Sequence, residues 1–184
     1  ELKIENASYE FSILARATLE KTIEIAFYLT NKKIKLRKSF LNQFAILAYG
    51  RLANNTMTSN SDLDLVFIFP NENKNFKNQK EYINCFTIFS NKVINILSSK
   101  TSEGILYEVD TKLTPSTEKN NLACKISDFV NYQKNKSFSW EKIALLKSNL
   151  VFNNSIFQKS LNLILKDLKN IKIDLDDLLS EISS

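Results

Sequence analysis

The chain has 184 residues, 43% hydrophobic and 24% charged, with a net charge of +5 and a pI near 9.1. That size suits one domain, and that composition suits a globular chain rather than a disordered one. No apolar run reaches the roughly 18 to 20 residues of a membrane span, and the complete lack of histidine removes Ser-His-Asp and Cys-His catalysis and histidine-held zinc.

What remains is chemistry run by carboxylates, lysines, arginines, hydroxyls or metals held by oxygen. The two cysteines, Cys85 and Cys124, read as buried structural thiols of a reducing compartment, so a cytoplasmic location is expected. The surplus positive charge is spread over Lys- and Asn-rich loops such as Asn71–Lys80, without a dense arginine stripe or interleaved aromatics. Nucleic acid is therefore not expected as a partner, and neither is a membrane. The first residue is Glu1 rather than Met, from which a longer parent chain is expected.

In chain order, Tyr9 to about Thr30 predicts a helix, with Phe11, Ile13, Leu14, Leu19, Ile23 and Phe27 near a helical period. A basic connection, Asn31–Phe40, leads to the apolar run Gln43–Tyr49, of strand length, which ends at Gly50. Residues Arg51–Asn60 lack periodicity and are rich in Asn and Thr, which predicts a loop. A second strand is expected over Asp62–Phe69, stopped by Pro70.

Gln79 to Ser99 predicts a helix with Tyr82, Ile83, Phe86, Phe89, Val93, Ile94 and Leu97 on one broad face. After Gly104, the alternation in Ile105–Leu113 predicts a third strand, and Pro115 begins a polar loop to Asn121. Ser127 is expected to cap a helix through Asn135, and Ser139 another that opens on Trp140 and Glu141. Trp140 and Tyr107 both read as packing residues. Ile156 to about Asn170 predicts a further amphipathic helix, and Ile173–Ser184 a terminal one.

The order helix, strand, strand, helix, strand, then helices gives an α+β domain: a small mixed β-sheet flanked by helices, with additional C-terminal helices. Residues 1–122 are expected to form the core with its N-terminal helix, and residues 123–184 a helical extension of the same domain.

The chemistry concentrates where the second strand begins. Asp62 and Asp64, two residues apart, would present parallel carboxylates on one side of a strand, with Leu63, Leu65 and Phe67 on the other. Two such charges repel unless a cation lies between them, and hard oxygen donors suit Mg²⁺ or Mn²⁺. Asp110, with Glu108 on its face of the third strand, is a candidate third carboxylate. Gly50 would allow backbone N–H groups to approach phosphate closely, and Arg51 beside it could neutralise triphosphate charge.

A glycine turn, a D-x-D pair and a later acid resemble the nucleotidyltransferase superfamily that includes DNA polymerase β. A closer likeness lies within it. "YGRLANNTMTSNSDLDLVFIF" (Tyr49–Phe69) resembles the G-K-L-G-G-x-E…S-D-x-D-L-x-F segment of bacterial glutamine synthetase adenylyltransferases. "EGILYEVDTKLTPS" (Glu103–Ser116) is similar to their G-x-L-Y-x-V-D-x-R-L-R-P-S block, and "DFVNYQKNKSFSWEKIALLKSN" (Asp128–Asn149) to the Y-Q…W-x-W-E-x-x-A-L-x-R-A-R block that follows. "GILYEVD" and "YQKN" are more similar to that family's C-terminal, adenylylating copy than to its N-terminal, deadenylylating one.

The resemblance implies a nucleotidyltransferase fold in which Asp62 and Asp64 hold metals and Asp110 is the third carboxylate. It places Gly50, Arg51, Ser61 and Lys112 along the triphosphate. It implies Mg²⁺ or Mn²⁺, ATP as substrate, and transfer of AMP to a tyrosine hydroxyl of glutamine synthetase. A PII-type signalling protein would act through the full-length enzyme. Phosphorolytic deadenylylation, and a non-catalytic binding module of the same fold, are the competing readings.

Several positions depart from the pattern. The paired glycines and acid become Ala53, Asn54 and Thr56, and R-L-R-P becomes Lys112-Leu113-Thr114-Pro115. The next loop's glycines stand as Thr117 and Asn120 or Asn121, and the final R-A-R as Lys147-Ser148-Asn149. Lysine keeps the charge but loses the bidentate fork, and threonine or asparagine loses the charge as well.

Overall fold

The apolar runs on either side of Gly50 form the centre of the sheet. A computed structural model describes residues 4–72, 76, 78–115, 122–151, 155–173 and 175–182. Its elements run α1 (Ile4–Asn31), a 3-10 helix (Lys38–Gln43), β1 (Ala45–Ala48), α2 (Gly50–Asn54), β2 (Leu63–Phe69), α3 (Gln79–Ser98) and β3 (Val109–Asp110). They continue with β4 (Ala123–Lys125), α4 (Ile126–Asn135), α5 (Ser139–Leu146), β5 (Asn149–Leu150), α6 (Ile156–Lys169) and α7 (Leu175–Ile182).

β1 and β2 are antiparallel, with Ala45 opposite Ile68 and Ala48 opposite Leu65. β2 then pairs in parallel with β3 at its start and with β4 at its end, while β5 adds antiparallel to β1. The sheet is mixed and flanked by helices, an α+β fold of the nucleotidyltransferase kind. The parallel β2–β3 pair is joined through α3, as a crossover requires. The segment after residue 122 contributes β4 and β5 to this sheet as well as its helices.

Both faces of β2 beyond Asp64 are buried. Leu63, Leu65, Phe67 and Phe69 join Leu19 of α1 and Phe86 and Phe89 of α3 on one side. Val66 and Ile68 meet Phe129 of α4, Leu145 of α5 and Leu161, Leu165 and Leu168 of α6 on the other. Aromatic rings fill the first layer: Phe86 stacks on Phe40 at 4.4 Å and on Phe69 at 4.5 Å, and Phe44 meets Phe89 edge-on at 4.8 Å. Offset and edge-on pairs of this kind add to the burial of the rings themselves.

Several expectations are corrected. The inner stripe of α1 is Ser12, Ala15, Leu19, Thr22, Ala26 and Thr30, not the series begun by Phe11. Leu19, Ile23 and Phe27 do face the core, but Phe11, Ile13 and Leu14 are exposed. Small residues line the seam because α1 lies close against α3. The loop after Gly50 begins with the helical turn α2, and the third strand is confined to Val109–Asp110.

Lys125 and Phe138, rather than Ser127 and Ser139, are the N-cap residues of α4 and α5. The Asn71 side chain accepts from Ser127 N, and the Glu141 carboxylate accepts from Phe138 N. Thr117, Asn120 and Asn121 lie outside the described residues. Both cysteines are buried free thiols. Among the described residues no helix is long and apolar enough to cross a membrane.

Removing Phe86, the ring shared by the stacked layer, should destabilise the protein by about 3 to 5 kcal/mol as Phe86→Ala. Ile13→Ser, on the exposed side of α1, should stay within about 0.5 kcal/mol. Urea unfolding of the two variants side by side measures both.

Candidate functional site

Polar positions of β2 sit at its N-terminal end, before the strand enters the core. Asp64 lies in register with Asp110 across the parallel β2–β3 pair, so the two carboxylates share a sheet face. Asp62 immediately precedes β2 and is exposed. Burial raises the pKa of Asp64 above the usual carboxylate value, and the charges of Asp62 and Asp110 raise it further. Burial also acts against the Asp110 carboxylate, but hydrogen bonds from the Lys112 side chain and backbone outweigh it and hold its pKa low. Lys112 Nζ lies 2.7 Å from Asp110 Oδ2, and Lys112 N lies 2.8 Å from Oδ1.

The turn before these acids is fixed by one of them. Gly50 has φ +56°, a conformation disfavoured for residues bearing a Cβ. A Cβ built there would lie 2.2 Å from Asp64 Oδ2. Tyr49 N also donates to Asp64 O at 3.0 Å, which ties the end of β1 to the start of β2. Arg51 donates to Thr58 Oγ1 at 3.2 Å and to Ser61 Oγ at 3.4 Å, while Ser61 Oγ accepts from Thr58 N at 2.9 Å. Gly50, Arg51 and Ser61 therefore belong to one local assembly beside the acids.

That assembly is held from behind by α1, in a way the sequence concealed. Ser12 Oγ accepts from Met57 N at 3.3 Å, and Arg16 donates to Leu52 O at 2.9 Å and to Asn55 Oδ1 at 3.3 Å. Asn55 ends α2 in the left-handed conformation, which asparagine tolerates better than most residues. Ser12 and Arg16 lie four residues apart, on one side of α1, but several other polar and charged residues of the helix hid them as a signal.

Against the acids lies a cleft of about 230 Å³, lined by Asp64, Leu65, Asp110, Lys112, Leu113 and Trp140. Trp140, expected as core, is instead 50% exposed and forms a wall of this cleft. Tyr107 is half-buried against the core, as expected of a packing residue. α5, which carries Trp140, is anchored on both sides of it. Glu141 is buried and accepts from Tyr132 Oη at 2.9 Å through each carboxylate oxygen. Burial and this carboxylate push the Tyr132 hydroxyl up to about 12. Ser139 N donates to Glu181 of α7, 2.8 Å from Oε2.

Hard carboxylate oxygens on neighbouring strands are a donor set suited to Mg²⁺, which takes one or two carboxylates and fills its shell with water and phosphate. Among the described residues no three acids close around one point. Like charges without a counter-ion repel, and Asp110 is engaged by Lys112. A metal completed by substrate phosphates needs no closed protein cage, so the residues present fit such an ion.

The family model described as Glutamate-ammonia ligase adenylyltransferase matches residues 1–163. Among curated proteins, the chain is 29% identical over 191 residues to a bifunctional glutamine synthetase adenylyltransferase/adenylyl-removing enzyme of Mannheimia succiniciproducens, covering 96% of this chain and 20% of that protein. A protein of the same name from Pasteurella multocida is 28% identical over 98% of this chain and 19% of its own length. One from Bradyrhizobium diazoefficiens is 32% identical over 67% of this chain and 13% of its own. The chain thus spans about a fifth of the first two relatives.

Gly50→Ala should cost about 1 to 2 kcal/mol through its backbone conformation alone and more through displacement of Asp64. In an Asp64→Ala background the same substitution should lose the clash and keep the backbone part. A double-mutant cycle in urea separates the two.

Proposed function

This chain belongs to the glutamate-ammonia ligase adenylyltransferase family, and on that premise we propose that it transfers AMP from ATP to a tyrosine hydroxyl of glutamine synthetase. The observation that carries this reading is the in-register pairing of Asp64 with Asp110 beside Asp62, at a glycine turn where Asp64 Oδ2 stands in the place of a Cβ. The likeness of Gly104–Asp110 to the adenylylating copy favours transfer over phosphorolytic removal.

Asp62, Asp64 and Asp110 would hold Mg²⁺ or Mn²⁺ together with the triphosphate. When bound, the cation offsets charge on the carboxylates and phosphates and makes the entering hydroxyl more acidic. Arg51 and Ser61 take the β- and γ-phosphates, with Gly50 allowing their close approach. Lys112, 88% exposed in its side chain, turns from Asp110 towards phosphate oxygens. The tyrosine oxygen forms a bond to the α-phosphorus, the bond to the β-phosphate oxygen breaks, pyrophosphate leaves, and the phenolic proton passes to Asp110. Catalysis on this account is positioning and electrostatics. A reaction between ATP and glutamine synthetase belongs in the cytoplasm, and a PII-type regulator would act through the remainder of a longer enzyme.

Asp62→Asn and Asp64→Asn should each lower AMP transfer by about 10³-fold or more, the loss expected when several kcal/mol of metal-borne stabilisation is removed. Asp64→Asn should also raise the urea midpoint, because burial and two neighbouring charges disfavour its carboxylate. Thr114→Arg, which restores the family's second arginine, should raise transfer. Labelled ATP, Mg²⁺ and glutamine synthetase provide the assay. A chain that stays inactive after the Thr114→Arg substitution, yet binds glutamine synthetase, would be a binding module. ATP with Mg²⁺ at a hundredfold excess over its dissociation constant should stabilise the fold by about 2.7 kcal/mol, read as a thermal shift.

A further inference from the structure

Trp140 is large, half-exposed and held in place from both sides. Its neighbour Ser139 is bonded through its backbone to Glu181, and its neighbour Glu141 is bonded to Tyr132 and to Phe138 N. An aromatic surface fixed in this way loses little freedom when a ligand covers it. The cleft it walls holds about 230 Å³, below the roughly 300 Å³ at which pockets for small-molecule ligands begin. One aromatic side chain suits that space better than a nucleoside triphosphate.

The position of the cleft bears on what enters it. Its lining contains Asp64, Asp110 and Lys112 but not Arg51 of α2, nor Thr58 or Ser61 of the loop that follows, to which Arg51 is bonded. In an in-line displacement the entering oxygen and the leaving pyrophosphate lie on opposite sides of the phosphorus. With pyrophosphate held by Arg51 and Ser61, the entering hydroxyl arrives from the side of Asp110 and Trp140.

We propose that this cleft is the acceptor pocket, where the indole of Trp140 packs against the ring of the tyrosine that receives AMP and directs its hydroxyl to Asp110. The proposal rests on the nucleotidyl-transfer reading and adds to it a residue that recognises the protein substrate. Trp140 acts by contact with the acceptor ring, and Leu113 supplies apolar surface in the same cleft.

Trp140→Ala should raise the KM for glutamine synthetase about tenfold, a usual size for the loss of an aromatic anchor. The dissociation constant of ATP, measured by calorimetry, should stay within about twofold, and Trp140→Phe should restore most of the loss. A second measurement needs no variant and no turnover, because Trp140 is the sole tryptophan of the chain. With excitation confined to tryptophan, N-acetyl-tyrosinamide added to the protein with Mg²⁺ and a non-hydrolysable ATP analogue should change its emission, whereas the analogue alone should not. Emission that responds to the analogue alone, with ATP affinity weakened in Trp140→Ala, would assign the indole to the nucleobase and overturn the proposal. Emission indifferent to both additions, with KM unchanged, would overturn it too. A chain that binds no ATP by calorimetry would remove the nucleotidyl-transfer reading itself, by a measurement independent of Trp140.

Discussion

Asp64 Oδ2 fills the space that a side chain on Gly50 would need, and much of the site's form follows from that contact. The carboxylate that opens β2 and the turn that ends β1 are packed as a single unit, joined again by the Tyr49 N to Asp64 O bond. The α2 turn must then start immediately, which carries Arg51 back towards Thr58 and Ser61. Leu52 and Met57 anchor this segment in the core, and Ser12 and Arg16 add polar contacts from α1. A long helix from the start of the chain thereby helps set the position of the residues that would face phosphate.

The acids are arranged for a charge they do not supply themselves. Asp64 is pushed towards its protonated form, while Asp110, one strand away, is held ionised by Lys112. Neighbouring carboxylates with opposed tendencies form a pair whose balance a cation can reverse. Lys112 is the flexible member of the group, with its side chain almost wholly in solvent. Its family counterpart is arginine, whose planar fork would bind a carboxylate or phosphate in a more fixed geometry.

The strands that face a core on both sides could be read from the chain as unbroken apolar runs, and the helices that bury a wide stripe as a periodic pattern. Asp62, Asp64 and Asp110 were legible for the opposite reason, being charges set where a strand should be apolar. Two- and three-residue strands such as β4 and β5 carry too little sequence to show a period. Helix caps were misplaced because the capping groups come from Asn71 and Glu141, not from the serines at the expected starts. Trp140 was read as core because size alone suggests burial, whereas its exposure is set by Glu141 taking the inward position beside it. The inner stripe of α1 was hidden by its own residues, since serine, threonine and alanine mark close approach rather than hydrophobicity.

The sheet's pairing scheme also bears on how the molecule behaves towards copies of itself. β2, the longest strand among the described residues, has β1 along one side, with β3 and β4 sharing the other, one at each end. The outward-facing strands β3, β4 and β5 are two or three residues long. A row of free N–H and C=O groups that short is a poor template for a neighbouring chain, while the strand able to serve as one is enclosed. Among the described residues the order of the strands thus leaves only short edges open to a neighbouring chain.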